Sequence, residues 1–289
     1  MSHDQSRAIS VIGFIGSVFS PWYAWSGRRD PANHCCMNVA TYGPGGRFAM
    51  TDRGRQALYN TSDTLRVGPS SMRWSNGVLE IELDEKGSLP RLGRIKGRVT
   101  VTPLAVTEVE MPLTPDGAHV WRPFGPGAKI DVSLEAEGWQ WQGDGYFDAN
   151  FGTRALEQDF DRWSWARFPL KDGAACFYEV QRVDGSCLNK AVRFDDHGTV
   201  HALEVPRAGL SRSLWWLERS GWCDVGSNPK QVMRMLDAPF YDRSMIRTRI
   251  AGNMVTGVHE TLDLRRFRSR VIKAMLVVRV PRRVGWKVS

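Results

Sequence analysis

The sequence predicts a mostly β protein, and three observations carry that reading. Apolar residues recur with a period of two, as in Val78-Leu79-Glu80-Ile81-Glu82-Leu83-Asp84. The alternating runs are bounded by turn residues, for example Asp84-Glu85-Lys86-Gly87, Pro115-Asp116-Gly117 and Asp184-Gly185-Ser186. Helical periodicity is scarce. Short alternating runs with such punctuation are the pattern of antiparallel strands in a meander, sandwich or barrel.

The elements follow in order. The apolar run Ile9 to Phe19 is interrupted by Ser10, Gly13, Gly16 and Ser17, well short of the roughly 20 residues a spanning helix needs. Only Arg7 precedes it and no small-x-small cleavage site follows, so it reads as a buried opening strand and not as a signal peptide. Asp52 to Tyr59 is one of two moderate helix candidates. Val78 to Asp84, Arg94 to Thr102, Ala105 to Met111 and Lys129 to Leu134 all alternate and read as strands. Thr153 to Phe160 is the second helix candidate, with Thr153 as its N-cap. Phe177 to Val183, Thr199 to Val205 and Val271 to Val280 again alternate. The Gly143 to Gly152 stretch closes one set of strands, so a division near residue 155 gives domains of residues 1–155 and 156–289.

Composition narrows the function. With 42% hydrophobic and 24% charged residues, the chain is no disordered, collagenous or polytopic membrane protein. Five cysteines in 289 residues, two of them the adjacent Cys35 and Cys36, are not a disulfide scaffold, and a reduced compartment fits. Lys and Arg number 39 against 31 Asp and Glu, a net +8. From Leu264 onward there are nine basic residues and no acidic one. That segment reads either as an edge strand blunted by charge or as a surface drawn to anionic lipid. Nucleic acid is not expected, because no helix-turn-helix, zinc or RNA-recognition signature accompanies the charge. Phosphate-binding loops, a Rossmann fingerprint, Cys-x-x-Cys pairs and a Gly-x-Ser-x-Gly elbow are also missing. An enzyme of this sequence is expected to need no cofactor and no metal.

What remains is an aromatic and acidic centre. The segment from Gly138 to Gly152 holds Trp139, Trp141, Tyr146, Phe147 and Phe151 with Asp144 and Asp148. Just upstream lies Gly117-Ala118-His119-Val120-Trp121-Arg122-Pro123. On strands, His119 and Trp121 share a face, as do Tyr146 and Asp148. An imidazole, an indole, a phenol and a carboxyl gathered towards one interior are either a satisfied polar cluster or a site.

Several segments together resemble a known family. They are Val11 to Tyr23, Asn33-His34-Cys35-Cys36-Met37-Asn38-Val39-Ala40, Met50-Thr51-Asp52-Arg53-Gly54, Ala118 to Pro123, and Gly145-Tyr146-Phe147-Asp148-Ala149-Asn150-Phe151-Gly152. The chain resembles the acyclic carotenoid 1,2-hydratases (the CrtC or hydroxyneurosporene synthase family) of purple photosynthetic bacteria over essentially its whole length. Tyr146, Asp148 and Asn150 match the most specific block. Phe147, Ala149 and Phe151 stand where many members carry His and Trp, so roles tied to those places do not transfer. The resemblance implies two tandem lipocalin-like (calycin-type) antiparallel β-barrel or sandwich domains. It also implies a cofactor-independent hydro-lyase that adds water across the terminal double bond of neurosporene, lycopene and relatives, in carotenoid biosynthesis of the spheroidene or spirilloxanthin type.

The residues agree with that chemistry. Hydration of a trisubstituted alkene needs a proton on the less substituted carbon and a tertiary cation on the other. Asp148 is the expected donor, which requires its carboxyl pKa of ~3.9 to be raised by desolvation. Trp121 and Tyr146 would face the cation, each contributing roughly 0.5–2 kcal/mol, and His119 would orient the acid or accept a proton from water. Trp139, Trp141, Phe147 and Asn150 complete the expected substrate-binding set. The alternative is a lipocalin-like carotenoid carrier without catalysis, although polyene binding alone needs no buried acid. A C40 hydrocarbon partitions into lipid, so the expected partners include an anionic membrane surface and other carotenoid-biosynthesis enzymes. The expected location is peripheral, on the cytoplasmic side of the inner photosynthetic membrane.

Overall fold

A computed structural model describes residues 1–285, and the strands among them pair almost entirely antiparallel. Two compact units emerge. The first comprises Met1–Pro103, Ala128–Gly145 and the chain from Lys273 onward; the second comprises Leu104–Gly127 and Tyr146–Ile272. This differs from a single cut near residue 155, because two long strands, β11 (His119–Leu134) and β12 (Gln140–Gly152), each give one half to each unit. Their length hid the boundary, since nothing in an alternating run marks where it changes unit.

In the first unit, β1 (Ala8–Ile15), β2 (Cys35–Tyr42), β3 (Phe48–Met50) and β4 (Asp52–Arg53) form a small sheet. It also holds β22 (Arg282–Arg283), which runs parallel to β4. Its core gathers Cys36, Met50 and Val280 against Phe14, Phe19 and Phe48. A meander of β5 (Leu58–Asn60), β6 (Thr64–Val67), β7 (Ser70–Ser75), β8 (Val78–Lys86) and β9 (Arg94–Pro103) follows, and Ala128–Leu134 of β11 pairs with β9. The expected alternation is plain in β8, where Leu79, Ile81 and Leu83 are buried and Glu80 and Glu82 exposed.

In the second unit, β10 (Met111–Pro112) pairs with β11. The main sheet has seven strands: β13 (Phe160–Leu170), β14 (Gly173–Arg182), β15 (Cys187–Asp195), β16 (Val200–Ala202), β19 (Lys230–Asp237), β20 (Tyr241–Ile250) and β21 (Asn253–Asp263). Their order is β16-β15-β14-β13-β21-β20-β19. One face carries an apolar core of Ala166, Phe168, Ala175, Phe177, Ile246 and Ile250, completed by Trp222 from the hairpin of β17 (Arg207–Leu210) and β18 (Arg219–Trp222). By alternation the other face presents Trp163, Trp165, Tyr178 and Glu260, and there the second-unit halves of β11 and β12 pack. Among the described residues no sheet order closes on itself. The lipocalin-like layers are open sheets rather than closed barrels.

Four expected elements differ. Val271 to Val280 is not a strand: Arg270–Arg279 forms a helix. Its apolar residues Val271, Met275 and Val278 recur at helical spacing, and Ala274, Met275 and Leu276 favour helix. Asp52 to Tyr59 is no helix, because Asp52–Arg53 pairs as β4 and Gly54 ends it before a single 3-10 turn at Arg55–Ala57. Most of Ala105 to Met111 is irregular, with Val106 exposed and strand pairing only at Met111–Pro112. The helix expected over Thr153 to Phe160 is one turn, Leu156–Asp159, preceded by Ala155 without a side-chain cap. Trp286 and Lys287 of the basic segment lie outside the described residues.

Candidate active site

The second unit brings three of the four expected catalytic side chains into direct contact. Trp121 from β11 and Tyr146 and Asp148 from β12 meet because each strand turns alternate residues to one side. The Trp121 Nε1–H donates to the Tyr146 hydroxyl at 2.9 Å and to Asp148 Oδ2 at 2.9 Å, and Tyr146 also hydrogen-bonds the Asp148 carboxyl. Asn150, two residues on, reaches Asp148 Oδ2 with its amide at 3.5 Å and accepts from the Tyr178 hydroxyl at 3.4 Å. Rings close the site. The Trp121 and Tyr178 centroids lie 5.3 Å apart, those of Tyr146 and Trp165 5.1 Å, and those of Trp163 and Tyr178 5.6 Å.

The electrostatics follow from the surroundings. Desolvation by the packed rings pushes the Asp148 carboxyl up to about 6, and the nearby negative charge of Glu260 adds to it. The hydrogen bonds from Tyr146, Trp121 and Asn150 pull the other way and only partly compensate. Asp148 nevertheless keeps some accessible surface, which a group that meets a substrate requires. Burial also holds the Tyr146 and Tyr178 phenols well above their ordinary range, so both stay neutral.

Asp148 differs from the other enclosed acids. Among the described residues every buried carboxylate has an arginine partner: Asp52 with Arg282, Glu85 with Arg53 at 2.7 Å, Asp242 with Arg219 at 2.7 Å, Glu260 with Arg243 at 2.8 Å and Asp263 with Arg266 at 3.7 Å. Asp148 has only uncharged donors. A guanidinium would favour the ionised form. Without one the carboxyl can hold its proton.

His119 is buried on the same strand face as Trp121, but its partner is different. Its Nε2 lies 2.8 Å from Asp159 Oδ2, and its ring packs on Phe160 at 4.7 Å. Asp159 is in turn bound by Arg154, which also holds Asp116 at 2.7 Å. Arg154 first, and His119 second, keep the Asp159 carboxyl below its usual range. Gly152 passes so close that a Cβ there would lie 2.8 Å from His119 Nδ1. The imidazole is thus enclosed by β12 and the turn before β13.

The expected substrate-binding residues divide. Asn150 belongs to the Asp148 cluster. Phe147 points from the other face of β12 and stacks on Phe124 at 5.3 Å. Trp139 and Trp141 belong to the first unit, where their rings lie 6.5 Å apart and the Arg7 guanidinium covers Trp139 at 4.9 Å. Among the described contacts neither touches Trp121, Tyr146 or Asp148. Sequence reasoning missed Trp163, Trp165, Tyr178, Asp159 and Glu260. Trp163-Ser164-Trp165 carried a signal, two indoles on one face of an alternating segment, whereas nothing local marks Glu260.

No group of three or more His, Cys, Asp or Glu side chains among the described residues is arranged to hold a metal ion. No helix among them is long and apolar enough to cross a membrane.

Comparison with known proteins gives the family. The acyclic carotenoid 1,2-hydratase of Cereibacter sphaeroides is 56% identical over 280 residues, covering 96% of this chain and all of that protein. The enzyme of the same name from Rhodobacter capsulatus is 54% identical over 279 residues, covering 96% of this chain and 99% of that one. Among solved structures, kievitone hydratase from Nectria haematococca shares the fold, with a TM-score of 0.54 at 9% identity over 91% of this chain and 86% of that one. The model of the family described as carotenoid hydratase CrtC matches residues 11–289. With the aromatic acid cluster built on the segments that this match covers, the chain belongs to the carotenoid hydratase CrtC family.

Proposed function

We propose that the protein is an acyclic carotenoid 1,2-hydratase that adds water to the terminal double bond of neurosporene, lycopene or a related acyclic carotenoid. The observation that carries this reading is the carboxyl of Asp148, raised to about 6 and ringed by aromatic groups with no cation beside it among the described residues. Asp148 gives its proton to the less substituted alkene carbon, and the π pair becomes the new C–H bond. The tertiary cation that results faces Trp121 and Tyr146, with Trp165 and Tyr178 behind them, and each desolvated ring contributes roughly 0.5–2 kcal/mol. Water then forms the C–O bond and returns a proton to the Asp148 carboxylate. The cycle balances on this chain's own residues, with no oxidant, reductant or bound cofactor in any step. A carrier would gain nothing from a protonatable acid held without a counter-ion, because unpaired polar groups among rings weaken the folded state. The test is incubation of pure protein with neurosporene or lycopene. A product heavier by one water supports the reading; a bound but unchanged carotenoid favours the carrier.

The substrate's hydrophobicity calls for a membrane. The Arg270–Arg279 helix exposes Val271, Met275 and Val278 at 68%, 46% and 59%, one stripe at i, i+4 and i+7 on a helix that also carries Arg270, Lys273 and Arg279. An apolar stripe flanked by basic residues fits an anionic interface. We place the protein peripherally on the cytoplasmic side of the inner photosynthetic membrane, where other carotenoid-biosynthesis enzymes would share its substrate. Sedimentation with anionic but not neutral vesicles, reversed by salt, is expected. Binding to both alike, or to neither, would sink the electrostatic part.

A further inference from the structure

We propose that Trp165 and Glu260 hold the water molecule that is added, an inference that rests on the hydration reading above. The two residues are registered directly opposite each other on β13 and β21, so their side chains leave one sheet face with Cβ atoms about 5 Å apart. Tyr178 is registered against Trp165 from the other side, on β14. This row therefore lies on the face that meets the acid cluster. The Trp165 ring sits 5.1 Å from the Tyr146 ring, and Tyr146 hydrogen-bonds Asp148.

Trp165 is buried, yet its Nε1–H, like those of Trp141 and Trp163, has no hydrogen-bond partner among the described residues. The indole of Trp121 in the same site is fully engaged, and that of Trp22 in the first unit donates to the Val280 carbonyl at 2.8 Å. A buried donor without an acceptor is costly to keep, and phenylalanine would offer an aromatic face there without that donor. A donor beside a proton-transferring acid is suited to an oxygen that arrives with the reaction. Glu260 supplies the complementary acceptor. Arg243 holds it by Nε to Oε1 at 2.8 Å, and a carboxylate with about four acceptor sites is not exhausted by that partner. Its charge is close enough to act on Asp148.

A bound water needs two to four polar partners, and this arrangement offers three. Trp165 donates to the water oxygen, Glu260 accepts one hydrogen, and the Asp148 carboxylate left after proton transfer accepts the other. One lone pair remains for the cation. As the C–O bond forms, the hydrogen facing Asp148 moves to its carboxylate and restores the acid. Trp165 then donates to the oxygen of the new alcohol.

The test uses the full chain and an acyclic carotenoid in D2O. Wild type should give the alcohol and some recovered alkene with carbon-bound deuterium, from cations that lose a proton before water adds. Trp165→Phe keeps an aromatic face and removes the N–H together with the pyrrole part of the indole. Alcohol formation should fall about tenfold, as for loss of one hydrogen bond to the reacting water, while deuterated alkene persists, so the exchange-to-alcohol ratio rises by a similar factor. This ratio is independent of how much of the variant folds. Glu260→Gln should move it in the same direction, and decides the matter if Trp165→Phe does not fold. Unchanged alcohol formation, or alcohol and deuterated alkene falling in step, overturns the water-binding assignment. Wild type that forms neither product overturns the hydration reading, and this assignment with it.

Discussion

Asp148 and Asp52 are both enclosed aspartates, and their partners could hardly differ more. Asp52, in the first unit, is fully buried and accepts from the Ser20 hydroxyl and the Arg282 guanidinium, which also lies 2.7 Å from the His34 Nδ1 beside it. Arg282 lies on β22, which pairs with β4 at Asp52 itself, so this carboxylate anchors the end of the chain to the first sheet. Asp148, in the second unit, has an indole, a phenol and an amide. The difference teaches how one residue type serves two ends. A cation beside a buried carboxylate favours the charged form and makes the pair a structural tie, whereas rings with only neutral donors leave an acid able to carry a proton.

The contrast can be broken by substitution. Asp148→Asn keeps the shape and removes the acid, so hydration should fall by about 10²–10⁴-fold, the range for general-acid groups, with the near-ultraviolet circular dichroism unchanged. Turnover near that of wild type would make Asp148 structural and turn attention to another carboxyl, Asp144 first. Asp52→Asn should do the opposite. Leaving Arg282 without its counter-charge costs about 3 kcal/mol, the low end for a buried pair because Arg282 keeps some exposure. Urea titration reads that loss, while activity per folded molecule stays close to wild type.

The pH dependence of stability sharpens the comparison. Because the folded Asp148 carboxyl is raised to about 6, the folded state binds this proton more tightly than the unfolded state does. Its contribution to stability is whole at pH 3 and is lost as the pH rises to about 6. Asp148→Asn should therefore stabilise the protein at pH 7.5 by up to about 3 kcal/mol, reduced by the exposure the residue keeps. The gain should vanish near pH 3.5. A gain independent of pH would mean that packing, not the charge, is responsible.

The smallest effects concern Trp121. Trp121→Phe retains a weaker π face and Trp121→Leu only bulk, so Phe should be the better tolerated by roughly 0.5–2 kcal/mol in transition-state energy. Both lose the N–H that favours the Asp148 carboxylate. The alkaline limb of kcat/KM should then move to higher pH in both. Equal losses would assign Trp121 to packing.

Much of the fold was legible because a strand's period is a local property. The alternation of Val78 to Asp84 and Arg94 to Thr102 placed β8 and β9, and the same rule put Tyr146 with Asp148, and His119 with Trp121, on common faces. Where local pattern was ambiguous it misled. Val271 to Val280 is rich in β-branched residues yet spaces Val271, Met275 and Val278 as a helix does, and Ala105 to Met111 alternates without strand partners for most of its length. The boundary between units was invisible because β11 and β12 run through it.

The sequence by itself determined the antiparallel strands and the common faces of His119 with Trp121 and of Tyr146 with Asp148, since each depends on neighbours two residues apart, and the family through motifs spread along the chain. Tertiary structure decided the rest. It gave His119 to Asp159, placed Trp139 and Trp141 in the first unit, and set Trp165 against Glu260 through the register of strands nearly a hundred residues apart. It also decided which aspartate meets an arginine. A carboxyl's proton affinity depends on the charges and rings within a few ångströms, and only the folded chain brings those together.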